Sequence, residues 1–382
     1  MKEQHLLKPA IFFTLIVFLL MSFGLVMVFS SSYLYAREFH AQSSYFLFRQ
    51  LLFVCLGSAV IYASRYFSFE QLQKYQFPLL NALTFFMLLT LIPELSFKIK
   101  GARRWLSIGP FGLQPGEFIK YLIILPSYHF FNEISLHKEK KWGRSLFYKS
   151  ISLITPLVIF LLQPDFGAFT ICLIMMSLMA LLSDLPKKIF LYSCGFAALA
   201  FSGLLVSRPY RIRRILTFLD PWKDPQNTGF QIIQSYLAFA AGGPLGRGVG
   251  NSNEKLLYLP EAYNDFIFSV IGEEFGLLGV SVTMLLYLAL LTVGLKMALV
   301  QDKKEKAIFI TGLTMALVLQ ALLNMAVVLG LLPTKGLNLP FISYGGSSLV
   351  SNCMAVALIL MTLNLTIPWK NILLGKKWQK EQ

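Results

Sequence analysis

Apolar runs long enough to cross a lipid bilayer recur along the whole of this 382-residue chain, and that recurrence limits its fold more than any motif does. A spanning helix needs about 20 predominantly apolar residues, each rising about 1.5 Å. Ten spans are read, at about 11–29, 49–64, 77–93, 118–132, 150–163, 166–183, 188–206, 266–295, 307–331 and 342–366. Only 14% of the residues are charged, whereas soluble domains carry roughly 25%. The expectation is an all-α, polytopic integral membrane protein: one transmembrane domain over residues 1–382, with no polar block large enough to form a second. The first run, from about Ile11 to Phe29, is long enough to span and is read as a helix rather than a cleavable signal.

Charge placement orients these spans. The net charge is +15, and Lys and Arg accumulate on cytoplasmic loops of membrane proteins, so nucleic acid is not needed to explain it. Placing both termini in the cytoplasm puts "HKEKKWGR" (His137 to Arg144), "PKK" (Pro186 to Lys188), "QDKKEK" (Gln301 to Lys306) and the tail "GKKWQK" there too. On the opposite side then lie "KIKGARRWLSIGPFGLQPGEF", "LLQPDFG", a long loop at about 207–264, and "LLPTKGLNLPFISYGGSS". The four cysteines sit inside apolar runs and read as packing residues, not disulfides or metal ligands. The four histidines are scattered, and neither a Walker A nor a GxGxxG pattern occurs.

Four constellations on that outer side carry candidate chemistry. In "YLPEAYNDFIFSVIGEEFG" an acid at a helix N-terminus gains from the macrodipole, so Asn264 or Asp265 could simply cap the eighth span. Alternatively Asp265 faces an outward cavity as a base or cation ligand, supported by Glu261. Glu273 and Glu274 lie deeper, where an acid needs a partner or a wet cavity, and one of them is read as buried in a polar contact with a neighbouring helix. In "GARRWLSIGPFGLQPGEFIK", Arg103 and Arg104 flank an interfacial Trp105 and also suit a phosphate-bearing partner. Glu117 and Lys120, spaced i,i+3, pair as the next span begins. Asp165 in "LLQPDFG" reads first as a turn aspartate. Prolines and glycines interrupt "LLPTKGLNLPFISYGGSSLVSN", and irregular backbone at membrane depth is tolerated where it lines a cavity. There Lys335 supplies a cation and Ser343 a hydroxyl.

Together these segments resemble the SEDS family (shape, elongation, division and sporulation). The resemblance is carried by "YRIRR…FLDPWKDPQNTGFQIIQSYLAF…GGPLGRGVGNSNEKLLYLPEAYNDFIFSVIGEEFG", "LLPTKGLNLPFISYGGSS", "GARRWLSIGPFGLQPGEFIK" and "QPDFG". "GNSNEKLLYLPEA" is more similar to the division-type FtsW branch than to the elongation-type RodA branch. The resemblance implies a peptidoglycan glycosyltransferase of the bacterial cytoplasmic (inner) membrane, acting at the division septum. Such proteins polymerise lipid II, an undecaprenyl-pyrophosphate-linked disaccharide-pentapeptide, beside a class B penicillin-binding protein transpeptidase and other division-complex membrane proteins. The family's essential aspartate maps onto Asp265, and its long-loop arginines map onto Arg211 and Arg214. A divalent cation, Mg2+ or Mn2+, is expected by the same resemblance. Asp265 would be the general base, with Arg103, Arg211, Arg214 and Lys335 as candidates to neutralise the departing pyrophosphate. Glu117, Lys120, Asp165 and Glu274 are assigned structural or coupling roles. Departures from the family pattern are Gly116 for a usual Ser, Tyr263 for His and Ala326 for Gly. The rival function is a lipid II flippase, which paired broken helices or inverted repeats would favour; no internal symmetry is visible.

Overall fold

The computed structural model describes residues 2–364 apart from positions 100, 110, 137–142, 189, 192–194, 196–215, 227–228, 253–261 and 335. It is a helical bundle whose elements run α1 (Lys2–His40), α2 (Tyr45–Ala63), α3 (Phe69–Leu89), strands β1 (Ser96–Ile99), β2 (Ala102–Ile108) and β3 (Phe111–Leu113), then α4 (Pro115–Leu122), α5 (Ile124–Leu136), α6 (Arg144–Leu162) and α7 (Phe166–Leu182). After the long loop begins come α8 (Phe230–Gly242), α9 (Ile267–Leu299), α10 (Lys304–Val328) and α11 (Gly346–Leu363). Among the described residues, six helices are long and apolar enough to cross a membrane. Their outer faces carry exposed Phe12, Phe48, Leu277 and Leu285, as a lipid-facing surface should.

Several boundaries differ from those expected. The 39 residues of α1 extend about 58 Å, well beyond the apolar minimum at 11–29, the helix running through Pro9 at one end and on to His40 at the other. The expected span 118–132 is two helices meeting at Ile123. The long loop is not wholly irregular, since its apolar stretch forms α8, packed on α9. Nor is the outer segment before α4 featureless: β1, β2 and β3 form an antiparallel sheet, with Ser96 opposite Leu106 and Leu106 opposite Leu113. The span expected at 188–206 falls almost entirely outside the described residues, as do Arg211, Arg214, Glu261 and Lys335.

Two apolar clusters organise the bundle. One gathers α1, α9, α10 and α11 around Phe13, Leu290, Phe309 and Ile359; the other gathers α3 to α7 around Leu80, Ile119 and Phe160. Helix α9 is kinked at Gly276, whose φ of 62° and ψ of −158° depart from helical values. That φ is a region which a side chain disfavours, and a Cβ there would also overlap Gly246 N. A break orphans helical amides and carbonyls. Here the loop after α8 takes them up: Arg247 N and Gly248 N donate to the carbonyls of Glu273 and Glu274 at 3.0 Å, while Leu277 N and Leu278 N donate to Gly243 O and Pro244 O at 2.9 and 3.2 Å.

Candidate active site

A cavity of about 570 Å³ lies at the seam between the two clusters, within the range of small-molecule sites. The constellations expected on one side of the membrane converge on it: the β-sheet, the α6–α7 turn, the turn before α9, and the irregular segment leading into α11. Its wall carries three acids, Asp265, Asp165 and Glu117, and two guanidinium-bearing residues, Arg49 and Arg104.

Asp265 is half-buried in the turn that precedes α9. Neither it nor Asn264 caps the helix, because the N-cap is Phe266 and no side-chain cap bond forms. The turn is instead held by main-chain carbonyls facing outward to partners on other elements. Asn324 Nδ2, from α10, donates to Asp265 O at 2.7 Å and to Leu337 O at 2.6 Å. The Ser343 hydroxyl donates to Asn264 O at 2.7 Å and accepts from Leu339 N at 2.8 Å. Tyr344 N donates to Tyr263 O at 3.0 Å. These bonds lash the turn to the segment 337–344. A Cβ built on Gly336 would stand 3.1 Å from Asp265 Oδ2, so the backbone passes directly over the carboxylate. Ser343 thus positions the turn, and the cavity wall does not include it.

The other predicted residues sort by element. Asp165 does sit at a tight turn, where it is the N-cap of α7, accepting from Ala168 N at 3.2 Å. It also faces Arg104 at 3.7 Å and accepts from Gln114 Nε2 at 3.4 Å. Arg104, not Arg103, lines the cavity. Successive strand residues point to opposite faces, and Arg103 turns away to Pro93 O and Ser96 Oγ at 3.0 and 3.2 Å. Glu117 and Lys120 pair as expected, at 2.8 Å, with the lysine almost fully buried. Lys120 Nζ also donates to Gln320 Oε1 at 2.7 Å, and Gln320 Nε2 donates to Asn338 O at 2.9 Å, so one polar chain joins α4, α10 and the cavity segment. Both deeper glutamates are buried. Glu274 accepts from Ser30 Oγ of α1 at 2.9 and 3.0 Å; Glu273 accepts from Ser252 and faces Arg247 at 3.4 Å.

Arg49, Asn324 and Gln320 were not singled out in the sequence. Arg49 sits where an apolar span was taken to begin, and its NH1 donates to Tyr45 OH at 2.7 Å. Gln320 and Asn324 are 1% exposed within α10; two carboxamides inside an apolar span are the signal that marked them.

The model of the cell cycle protein family that groups FtsW, RodA and SpoVE matches residues 10–366. This chain belongs to that family. It is 40% identical over 352 residues to the probable peptidoglycan glycosyltransferase FtsW of Legionella pneumophila, covering 90% of this chain and 88% of the relative. It is 36% identical over 362 residues to stage V sporulation protein E of Bacillus subtilis, covering 92% and 96%. Among solved structures it is similar to a chain described under "Structural coordination of polymerization and crosslinking by a peptidoglycan synthase complex", with a TM-score of 0.74, 27% identity, and 92% and 96% coverage. The rod shape determining protein RodA of Thermus thermophilus shares the fold, with a TM-score of 0.66 at 24% identity over 92% of this chain and 95% of that one. The family match and the apolar helices together make this a multi-pass membrane protein.

Proposed function

We propose that the cavity is where lipid II is polymerised, in a peptidoglycan glycosyltransferase of the division type. The observation that carries this reading is the placing of Asp265 on the wall of one cavity with Arg49 and Arg104. A sugar hydroxyl must lose a proton as it attacks an anomeric carbon, and a diphosphate must leave with its charge matched. Asp265 as general base would contribute roughly 10²–10⁴-fold to the first event. Guanidinium groups that bind phosphate bidentately serve the second. The backbone bonds from Asn324 and Ser343 fix where the carboxylate stands, which is what a positioned base requires.

Among the described residues no three His, Cys, Asp or Glu side chains converge to hold a metal ion. Of the described residues, Asp265 is the one that would hold a divalent cation, Mg2+ or Mn2+, in the manner of one or two carboxylates plus substrate phosphates. When bound it would supply neutralising charge to the diphosphate. Residues Arg211, Arg214, Glu261 and Lys335 remain part of the proposal as contributors to substrate binding. So do a class B penicillin-binding protein as partner, the cytoplasmic (inner) membrane with both termini inside, and the septum as the place of action.

The test is a gel-resolved polymerisation assay on labelled lipid II, with cation, with and without the transpeptidase partner. The wild-type protein is expected to yield glycan polymer, and Asp265→Asn to insert normally and yield none. Full activity of the Asn variant would remove the general-base assignment.

A further inference from the structure

The start of α11 forms part of the cavity wall, with Gly345, Gly346, Ser347 and Ser348 all lining it. This helix is 18 residues long, and its N-cap, Gly345, makes no side-chain cap bond. The amides of a helix's first turn have no carbonyl within the helix to bond, and together they carry about half a positive charge. The Ser347 hydroxyl is engaged, accepting from Gln114 N at 3.0 Å and reaching Gly112 O at 3.3 Å. That of Ser348 is not: the residue is 6% exposed, and its Oγ is buried without a hydrogen-bond partner among the described residues. A buried hydroxyl left unpaired costs about 1–3 kcal/mol, so an arrangement that keeps one at a cavity wall points to a ligand that completes it.

Charge in the rest of the cavity argues for the sign of that ligand. Arg104 already faces Asp165, and Lys120 is committed to Glu117. Beside the guanidinium groups of Arg49 and Arg104 on the same wall, a dianionic group gains from donors that carry no paired carboxylate, and a helix N-terminus is such a donor set. We infer that the first turn of α11, completed by the Ser348 hydroxyl, is a diphosphate subsite, the place that takes the diphosphate of the lipid-linked substrate. The inference rests on the glycosyltransferase reading for the identity of the lipid, but not for the recognition of the anion.

Binding of two probes to the purified full-length protein in lipid nanodiscs tests this: inorganic pyrophosphate and undecaprenyl diphosphate, followed by calorimetry. Ser348→Ala is expected to weaken binding by about tenfold, the loss of one hydrogen bond to a charged group. Ser348→Asp is expected to abolish it while melting no lower than the wild type, since an acid in the first turn suits the helix but repels an anion. A role confined to helix stability predicts the reverse, with binding kept and melting changed. Should Ser348→Asp fail to fold, the Ala variant decides. Wild-type affinity for both probes in the Ala variant, or no binding of either probe by the wild type, overturns the subsite. Weakening seen with both probes assigns the diphosphate itself as the ligand; weakening seen only with undecaprenyl diphosphate assigns the lipid-linked form. Asp265→Asn serves as the control that separates the two readings. Measured without divalent cation, it should bind both probes at least as tightly as the wild type, since a carboxylate near the anion is removed; if it also polymerises lipid II normally, the base assignment falls while the subsite stands.

Discussion

Asp265, in the turn before α9, and the pair Glu273 and Glu274, eight and nine residues on within the helix, live under opposite conditions. Asp265 is half-buried on a cavity wall, with its backbone pinned and its carboxylate under Gly336. Glu273 and Glu274 are each 1% exposed, sealed against Ser252, Arg247 and Ser30. The difference teaches that acidity within a membrane helix does not by itself mark chemistry. An acid that holds neighbouring elements together is wrapped in donors, whereas one that reacts must keep a side open to a substrate.

Four substitutions break or sharpen that contrast. The largest effect belongs to Asp265→Asn, where polymerisation should fall by about 10²–10⁴-fold with the melting temperature unchanged. Next comes Lys120→Met, which strands Glu117 beside a buried site. Removing one partner of a buried pair costs about 3–5 kcal/mol, and thermal melting in detergent should show it even without substrate. Glu274→Ala should cost about 1–3 kcal/mol through loss of the hydrogen bonds that Ser30 donates to it, and its activity per folded molecule should stay near wild type; a loss of turnover at full folding would move Glu274 into the reacting group. The smallest effect is expected from Gly336→Ala. Its methyl would crowd Asp265 Oδ2 at 3.1 Å, slowing polymerisation by about tenfold with little change in melting. An unchanged rate there would mean that the carboxylate works from a different position.

Much of this arrangement was legible before any coordinates. Length and apolarity gave the bundle, and i,i+3 spacing gave the Glu117–Lys120 pair, because both depend on near neighbours in the chain. The broken segment 331–352 was recognisable as cavity-lining, since Pro and Gly at membrane depth need such a setting. Arg104 was passed over for Arg103 because the strand that alternates them was not foreseen, and strand pairing is a long-range fact. Asn324 escaped for a similar reason. Its role depends on two carbonyls, at 265 and 337, that only the folded chain brings within reach of one carboxamide.

The loop woven into the break of α9 has a consequence for motion. Four main-chain hydrogen bonds join residues 243–248 to the two halves of the helix, so neither half can swivel about Gly276 without breaking them. The kink is therefore braced as an elbow rather than left open as a joint, and bending it would have to break those bonds. Deuterium uptake at the amides of Arg247 and Gly248 should accordingly be as slow as in the bundle interior, and fast uptake there would turn the elbow back into a hinge.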